Sequence, residues 1–246
     1  MGKVYIKPPV IEAVCEFRLT SDTKWDLTIP GLVYEKLKED FPIKEQREIQ
    51  EFDVIQDPDG VKQRVKRSDR VLFFKEDKKL FIQVGPHFLA INCLKPYPKW
   101  EMYKPNISKA FGVLSDVLET IKLRRIGLQY RNRIDIPGNN IDLDDYFEFG
   151  INLGRHITQP MVDFIAGCTL SFSENSDLCR IQLTNITSDI PETTTVLLDI
   201  NYFLVKPRSF TKEETMNWIE EAHTRIEEIF EGCLKDKLRE LFEEVR

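Results

Sequence analysis

Two segments of the sequence carry charged side chains in a pattern that could bind an anion. Residues 8–19, PPVIEAVCEFRL, and residues 123–137, LRRIGLQYRNRIDIP, alternate apolar and polar side chains as half-buried β-strands do. Guanidinium groups bind phosphate or carboxylate through two parallel hydrogen bonds. The polar faces are therefore candidates for a ligand-binding groove. Its charged members are Glu12 and Glu16 in the first segment and Arg125, Arg131 and Arg133 in the second.

Three interpretations of these charges stay open. If the two strands lie side by side, the glutamates meet the arginines, and Arg131 is predicted to face Glu16. Such a charged seam is structural, with about 0.2–1 kcal/mol for each cross-strand pair. In the second interpretation the arginines hold an anionic ligand, and in the third the same cluster performs catalysis.

A basic run follows in the first half of the chain. On a strand, its even-numbered members share one face and form a short stripe that can follow a phosphate backbone. A solvated edge strand that uses charge to prevent aggregation explains the run equally well. No aromatic or glycine pattern for base stacking accompanies it. These nucleic-acid candidates are Lys62, Arg64, Lys66, Arg67 and Arg70.

The residues that usually carry catalysis or bind metals are scattered. His87, His156 and His223 lie far apart and form no HxxxH or HExxH pattern. The sequence contains no Walker loop, GxGxxG or GxSxG motif, and its five cysteines form no CxxC pair. We therefore predict no catalytic residue, no metal and no cofactor, and reduced, buried thiols typical of a cytoplasmic protein.

Charge is distributed unevenly along the 246 residues. Residues 1–122 hold 21 Lys and Arg against 19 Asp and Glu, whereas residues 123–246 hold 14 against 22. This distribution argues against a protein that coats nucleic acid, because such proteins carry a broad basic surface. No apolar run approaches the roughly 20 residues that span a bilayer, and the N-terminus lacks a signal-peptide pattern. The prediction is a cytoplasmic protein that does not enter a membrane.

The order of elements indicates the fold. Each half of the chain begins with a strand, continues through a short helix and an antiparallel meander, and ends in a long helix. The pattern predicts an α+β fold of two pseudo-repeated units, 1–122 and 123–246, either separate or fused into one domain. The long helices are predicted at 97–121 and from Thr211 nearly to the C-terminus.

The second long helix suggests a partner. If it is continuous it has about 35 residues and is roughly 50 Å long, which exceeds the width of a sheet with ordinary strands. Its apolar end then needs a cover, and we predict that a second copy of the chain provides it. The predicted partner is therefore the protein itself, or another protein.

Three motifs together resemble a prokaryotic family of unknown function that is scattered sporadically among bacteria and archaea. They are PPVIEAVCEFRL, the YPKW segment and RIGLQYRNRIDIP. The family's pattern falls here on Pro8, Pro9, Glu12, Ala13, Phe17 and Arg18, and on Ile126, Gly127, Leu128, Tyr130, Asn132 and Ile134. The resemblance implies no catalytic residues, and a sporadic distribution favours mobile or defence-related genes.

We rank three functions. The first is a non-enzymatic binding or assembly module, because no catalytic constellation is visible in the sequence. The second is a nucleic-acid-associated component of a prokaryotic defence system, such as phage defence, or of a toxin–antitoxin system. The third is an enzyme that holds an anionic, phosphate-containing substrate on the central strand.

Overall fold

A computed structural model describes residues 3–57, 60–118, 121–139, 141–151, 154, 156, 159, 161–173, 176–207 and 209–245, without the side chains of 51–66. The strands are β1 (Val10–Leu19), β2 (Ile43–Asp57), β3 (Gly60–Phe74), β4 (Leu80–Gly85), β5 (Phe88–Leu94), β6 (Leu123–Pro137), β7 (Ile165–Phe172), β8 (Asp177–Ile186) and β9 (Thr193–Leu204). The helices are α1 (Ile29–Leu37), α2 (Trp100–Leu118), α3 (Lys212–Cys233) and α4 (Asp236–Leu241). A 3₁₀ turn, Leu143–Asp145, lies where the sequence predicts a short helix over 143–149.

All nine strands form one antiparallel sheet in the order β2-β3-β4-β5-β1-β6-β9-β8-β7. Strand content is 41% and helix content is 28%. The predicted α+β fold of two pseudo-repeated units is therefore wrong, and the chain has a sheet-rich fold. The physical reason is that β1 and β6 pair with each other at the centre, so strands from residues 1–122 and from 123–246 lie in a continuous sheet.

The helices cover one face of this sheet. Alternate residues of the central strands point at them, and Phe17 of β1 stacks on Phe111 of α2 with 4.6 Å between ring centroids. The Tyr103 hydroxyl of α2 donates to the Ile91 carbonyl of β5 at 2.6 Å, which satisfies a fully buried polar group. No helix in the described part of the chain is both long and apolar enough to cross a membrane.

The hairpin of β2 and β3 extends beyond its neighbour in the sheet. Every residue of β3 pairs with β2, but only Val71–Phe74 pairs with β4. We call the remaining two-stranded segment, residues 47–57 and 60–70, the arm. At about 3.4 Å per residue its eleven residue pairs extend about 35 Å. The sequence predicts three shorter strands over this hairpin, at 48–55, 62–68 and 70–75, whereas the structure has the two long strands β2 and β3.

The C-terminal helix is not continuous. After Cys233 the backbone turns extended at Leu234, with φ −100° and ψ 140°. Leu234 forms a bridge to Phe147, and the amide of Lys235 donates to the carbonyl of Tyr146 at 2.9 Å. Because these bonds replace those of another helical turn, the chain bends and continues as the short α4. The predicted 35-residue helix is thus wrong.

The bend buries the apolar end within the same chain. Leu234, Leu238 and Phe242 are 1%, 0% and 4% exposed. The ring of Phe242 packs edge-on against Tyr5 at 5.6 Å, and the amide of Val245 donates to the carbonyl of Val4 at 2.8 Å. The overhang that suggested a second chain is therefore absent, and self-association stays a prediction without that support.

Candidate anion-binding site

The sheet face opposite the helices, the open face, carries the predicted charged residues. In the antiparallel register of β1 and β6, Glu12 lies opposite Arg131 and Arg18 lies opposite Arg125. Residues directly opposite each other share a face. The structure therefore brings all five predicted ligand-binding residues onto one surface, at the centre of the sheet. Those residues are Glu12, Glu16, Arg125, Arg131 and Arg133.

A continuous row of hydrogen bonds crosses six strands on this face. Two arginines in this row donate hydrogen bonds and two carboxylates accept them. Two amide side chains both donate and accept. The charges alternate and cancel along the row. The bonds run from Arg70 to Gln83 (3.2 Å), Gln83 to Asn92 (2.7 Å), Asn92 to Glu12 (3.1 Å), Arg131 to Glu12 (3.2 Å) and Arg131 to Asp199 (3.4 Å).

Arg133 is matched in the same way. Its guanidinium donates to Asp135 at 3.1 Å and contacts Asp189, and these hydrogen bonds raise the pKa of Arg133. Arg131 likewise contacts two carboxylates, those of Glu12 and Asp199. This part of the open face has the geometry of the structural seam, with Glu12 as the partner of Arg131 in place of the predicted Glu16.

The register gives a direct test of this seam. We expect a double-mutant cycle of Glu12→Gln and Arg131→Gln to give a coupling energy of about 0.5–1 kcal/mol in urea unfolding, because the pair is in contact and partly shielded. The matched cycle of Glu16→Gln and Arg131→Gln should give none. Coupling with Glu16 and not with Glu12 would contradict the register.

A β-bulge changes the pattern at the start of β6. Leu19 pairs with Leu123 and Arg18 with Arg125, so Arg124 is an additional residue on β6. A bulge leaves the extra residue unpaired and re-aims its side chain. Here Arg124 and Arg125 both line one depression of the open face, although strict alternation would direct them to opposite faces.

This depression has a volume of about 580 Å³, and we call its three basic residues, Arg18, Arg124 and Arg125, the arginine cluster. Arg125 Nε lies 3.0 Å from Glu16 Oε1 as an ion pair without hydrogen-bond alignment, and the guanidinium carbon lies 3.9 Å from the Phe203 ring centroid. Burial lowers the pKa of Arg125, while Glu16 opposes this effect. The side chain stays charged, because arginine does not deprotonate in proteins.

Glycine forms the floor of the depression. A Cβ added at Gly127 would lie 3.4 Å from Glu16 Cγ and 3.7 Å from Phe203 Cβ. These distances are near ordinary contact, so the side chains of Glu16, Asn201 and Phe203 closely surround the space above Gly127.

The basic run is divided between two regions. The backbone of Lys62, Arg64 and Lys66 belongs to β3 within the arm, and their side chains are outside the described part of the chain. Arg67 is exposed, 3.9 Å from Glu48, at the base of the arm. Arg70 is buried and lies over the Phe88 ring at 3.7 Å. A single solvated stripe does not describe the run, because Arg70 belongs to the polar row.

The sequence interpretation missed Arg18 and Arg124. One signal was present. In the rest of this strand the odd-numbered residues are mostly polar and the even-numbered ones mostly apolar, but in LRRI the apolar Leu123 is odd-numbered and Arg124 is even-numbered. Such an inversion within a strand indicates a bulge. Among the described residues, no group of three or more His, Cys, Asp or Glu side chains could hold a metal ion.

Comparison of the chain with protein-family models, curated proteins and solved structures gave no match. The resemblance to a sporadically distributed prokaryotic family therefore stays a prediction.

Proposed function

We propose that the protein is a binding module that holds a phosphate-bearing ligand at the arginine cluster. The observation that carries the proposal is the surplus of positive charge in the depression. Its lining contains the three basic residues of the cluster against one acid, Glu16. In the seam a few residues away, two arginines contact four carboxylates, and this contrast favours the depression as the place for an anion.

The cluster is also held in position before a ligand arrives. Arg125 stacks on Phe203 and contacts Glu16, while Arg18 Nε donates to the same carboxylate at 3.3 Å. Fixed guanidinium groups lose less side-chain entropy when they bind, which strengthens bidentate recognition of phosphate. Arg124 is exposed and supplies a further set of donors to the lining of the depression.

The proposed role of the arginine cluster is to bind a ligand without catalysing a reaction. The cluster consists of guanidinium groups, which do not exchange protons near neutral pH. The acid in this lining, Glu16, already contacts Arg18 and Arg125. The hypothesis of an enzyme that acts on a phosphate-containing substrate would use the same surface and stays a prediction.

Inorganic pyrophosphate is a suitable first probe. We expect calorimetric titration at low salt to detect binding to the wild-type protein, and Arg124→Gln to weaken it about tenfold or more, because a charged hydrogen-bond donor contributes about 1.5–3 kcal/mol. Arg124 is exposed, so the variant should keep the thermal midpoint of the wild type.

Arg225→Gln is the charge control, since it removes the same charge from a partly exposed arginine of α3, where Arg225 pairs with Glu228 at 3.0 Å. Pyrophosphate affinity should be unchanged in this variant. Equal losses in both variants would indicate a general charge effect and contradict the site. Undetectable binding to the wild-type protein would contradict the proposed function.

A further inference from the structure

A second depression adjoins the arginine cluster, and we call it the notch. The residues of β3 that precede Val71 have no partner in β4, because β4 ends at Gly85. This leaves a gap between the base of the arm and the β4–β5 turn. The loop between β1 and α1 closes the third side. The notch has a volume of about 780 Å³, and Arg18 and Arg124 line both it and the first depression.

Basic residues continue from the cluster into the notch. Lys44, Arg67 and Arg70 join its lining, with Asp69 as the acid. Without Arg70, whose charge belongs to the polar row, the two linings together contain five basic residues and two acidic ones, a net charge of +3 on a chain whose net charge is −6. A surface that concentrates positive charge against the sign of the whole molecule attracts an anion with more than one charged group.

Aromatic and apolar side chains form another part of the notch. Trp25 is only partly buried, whereas Trp100 and Trp218 are each 8% exposed. The ring of Trp25 lies 5.9 Å from that of His87, at an angle of 45°. Leu27, which is 95% exposed, also belongs to the lining. These groups add an apolar, aromatic part to the same lining that holds the guanidinium groups.

We propose that a single-stranded nucleic acid crosses the arginine cluster and the notch, with its phosphates on the arginines and an unpaired base against Trp25. This inference rests on the proposed function and assigns its ligand class. Proteins that bind single strands combine a basic groove with aromatic side chains on which bases stack. A duplex fits less well, because its paired bases do not expose their faces to an aromatic ring.

The test compares two oligomers of equal charge and length. One is oligothymidylate of about 12 nucleotides, and the other is an abasic strand with the same number of phosphates. We expect fluorescence anisotropy at low salt to show tighter binding of oligothymidylate by about 5- to 150-fold, the range that base–aromatic stacking provides. The emission of Trp25 should be quenched by oligothymidylate and not by the abasic strand.

Two variants separate the contributions. Trp25→Leu should remove the preference for oligothymidylate and leave the abasic affinity unchanged, with circular dichroism as the check that the variant is folded. Arg124→Gln should weaken both oligomers. Because Arg124→Gln does not touch the aromatic surface, it tests the phosphate contacts even if Trp25→Leu proves unstable.

The outcomes distinguish the inference from the proposed function. Equal affinity for the two strands, together with binding of pyrophosphate, would overturn the nucleic-acid inference and leave the anion site in place. Tighter binding of a duplex of the same sequence would also overturn it. If neither oligomer nor pyrophosphate binds at low salt, the proposed function and the inference both fail.

Discussion

Replacing Leu238 with alanine should lower the free energy of unfolding by about 2–5 kcal/mol, the range for removing a buried leucine side chain. Leu238 is 0% exposed and lies in α4, after the bend at Leu234. If the tail instead overhung the sheet, as a continuous helix would, the same substitution would leave the stability of a monomer almost unchanged. Urea denaturation measures the difference.

Leu27→Ala is the matched control, because it is the same substitution at a leucine that is 95% exposed. We expect it to change the free energy of unfolding by no more than about 0.5 kcal/mol. An equally small effect for Leu238→Ala would show that the C-terminal segment does not pack on its own chain.

His223 should make the protein less stable as the pH falls from about 6.5 to about 4. Burial lowers the pKa of His223 from 6.5 to about 4. Between these values the unfolded chain binds a proton at this residue and the folded chain does not, so protonation favours unfolding. Converted at 1.36 kcal/mol per pKa unit, the loss is about 3 kcal/mol.

The surroundings of His223 explain the shift. Its ring stacks on Trp100 at 4.1 Å and lies 5.9 Å from the ring of Tyr130, which removes it from water. Glu101 and Glu220 favour the charged form and Lys104 opposes it, but burial is the largest cause. Glu227 lies 3.9 Å from Nε2.

The variant His223→Phe keeps an aromatic ring against Trp100 and cannot titrate. Relative to wild type, its free energy of unfolding should rise by about 3 kcal/mol between pH 7 and pH 4. The same substitution at the exposed His156 should give a curve parallel to that of the wild type. Parallel curves for His223→Phe as well would contradict the burial of this histidine as a neutral group.

Local periodicity predicted the individual elements well. The alternation of apolar and polar residues over 123–137 matches β6. Helix α2 lies within residues 97–121, where apolar residues recur every three or four positions. The spacing of Thr211 and Glu214 also predicts a capping box, and the structure confirms it with bonds of 3.1 and 2.8 Å at the start of α3. These features depend on neighbours a few residues away, and such neighbours are visible in a sequence.

The errors concern partners that are distant in the chain. The pattern of β1 does not state whether Glu12 or Glu16 meets Arg131, because that depends on the register and on the bulge near Ile11. Nor does the helical spacing after Cys233 disclose the bridge between Leu234 and Phe147, which interrupts the helix. For the same reason the sequence could not show that the strands of both halves join in one sheet.

The position of β1 between β5 and β6 has a consequence for folding during synthesis. When β2 to β5 have emerged from the ribosome, β1 can pair with β5, but its other edge still exposes free N–H and C=O groups. Such an edge pairs readily with foreign strands. β6 covers it only after residue 137, and β7 and β8 join through β9, the last strand to be made. The sheet is therefore complete only when nearly the whole chain is available, and an interrupted chain exposes a surface that favours aggregation.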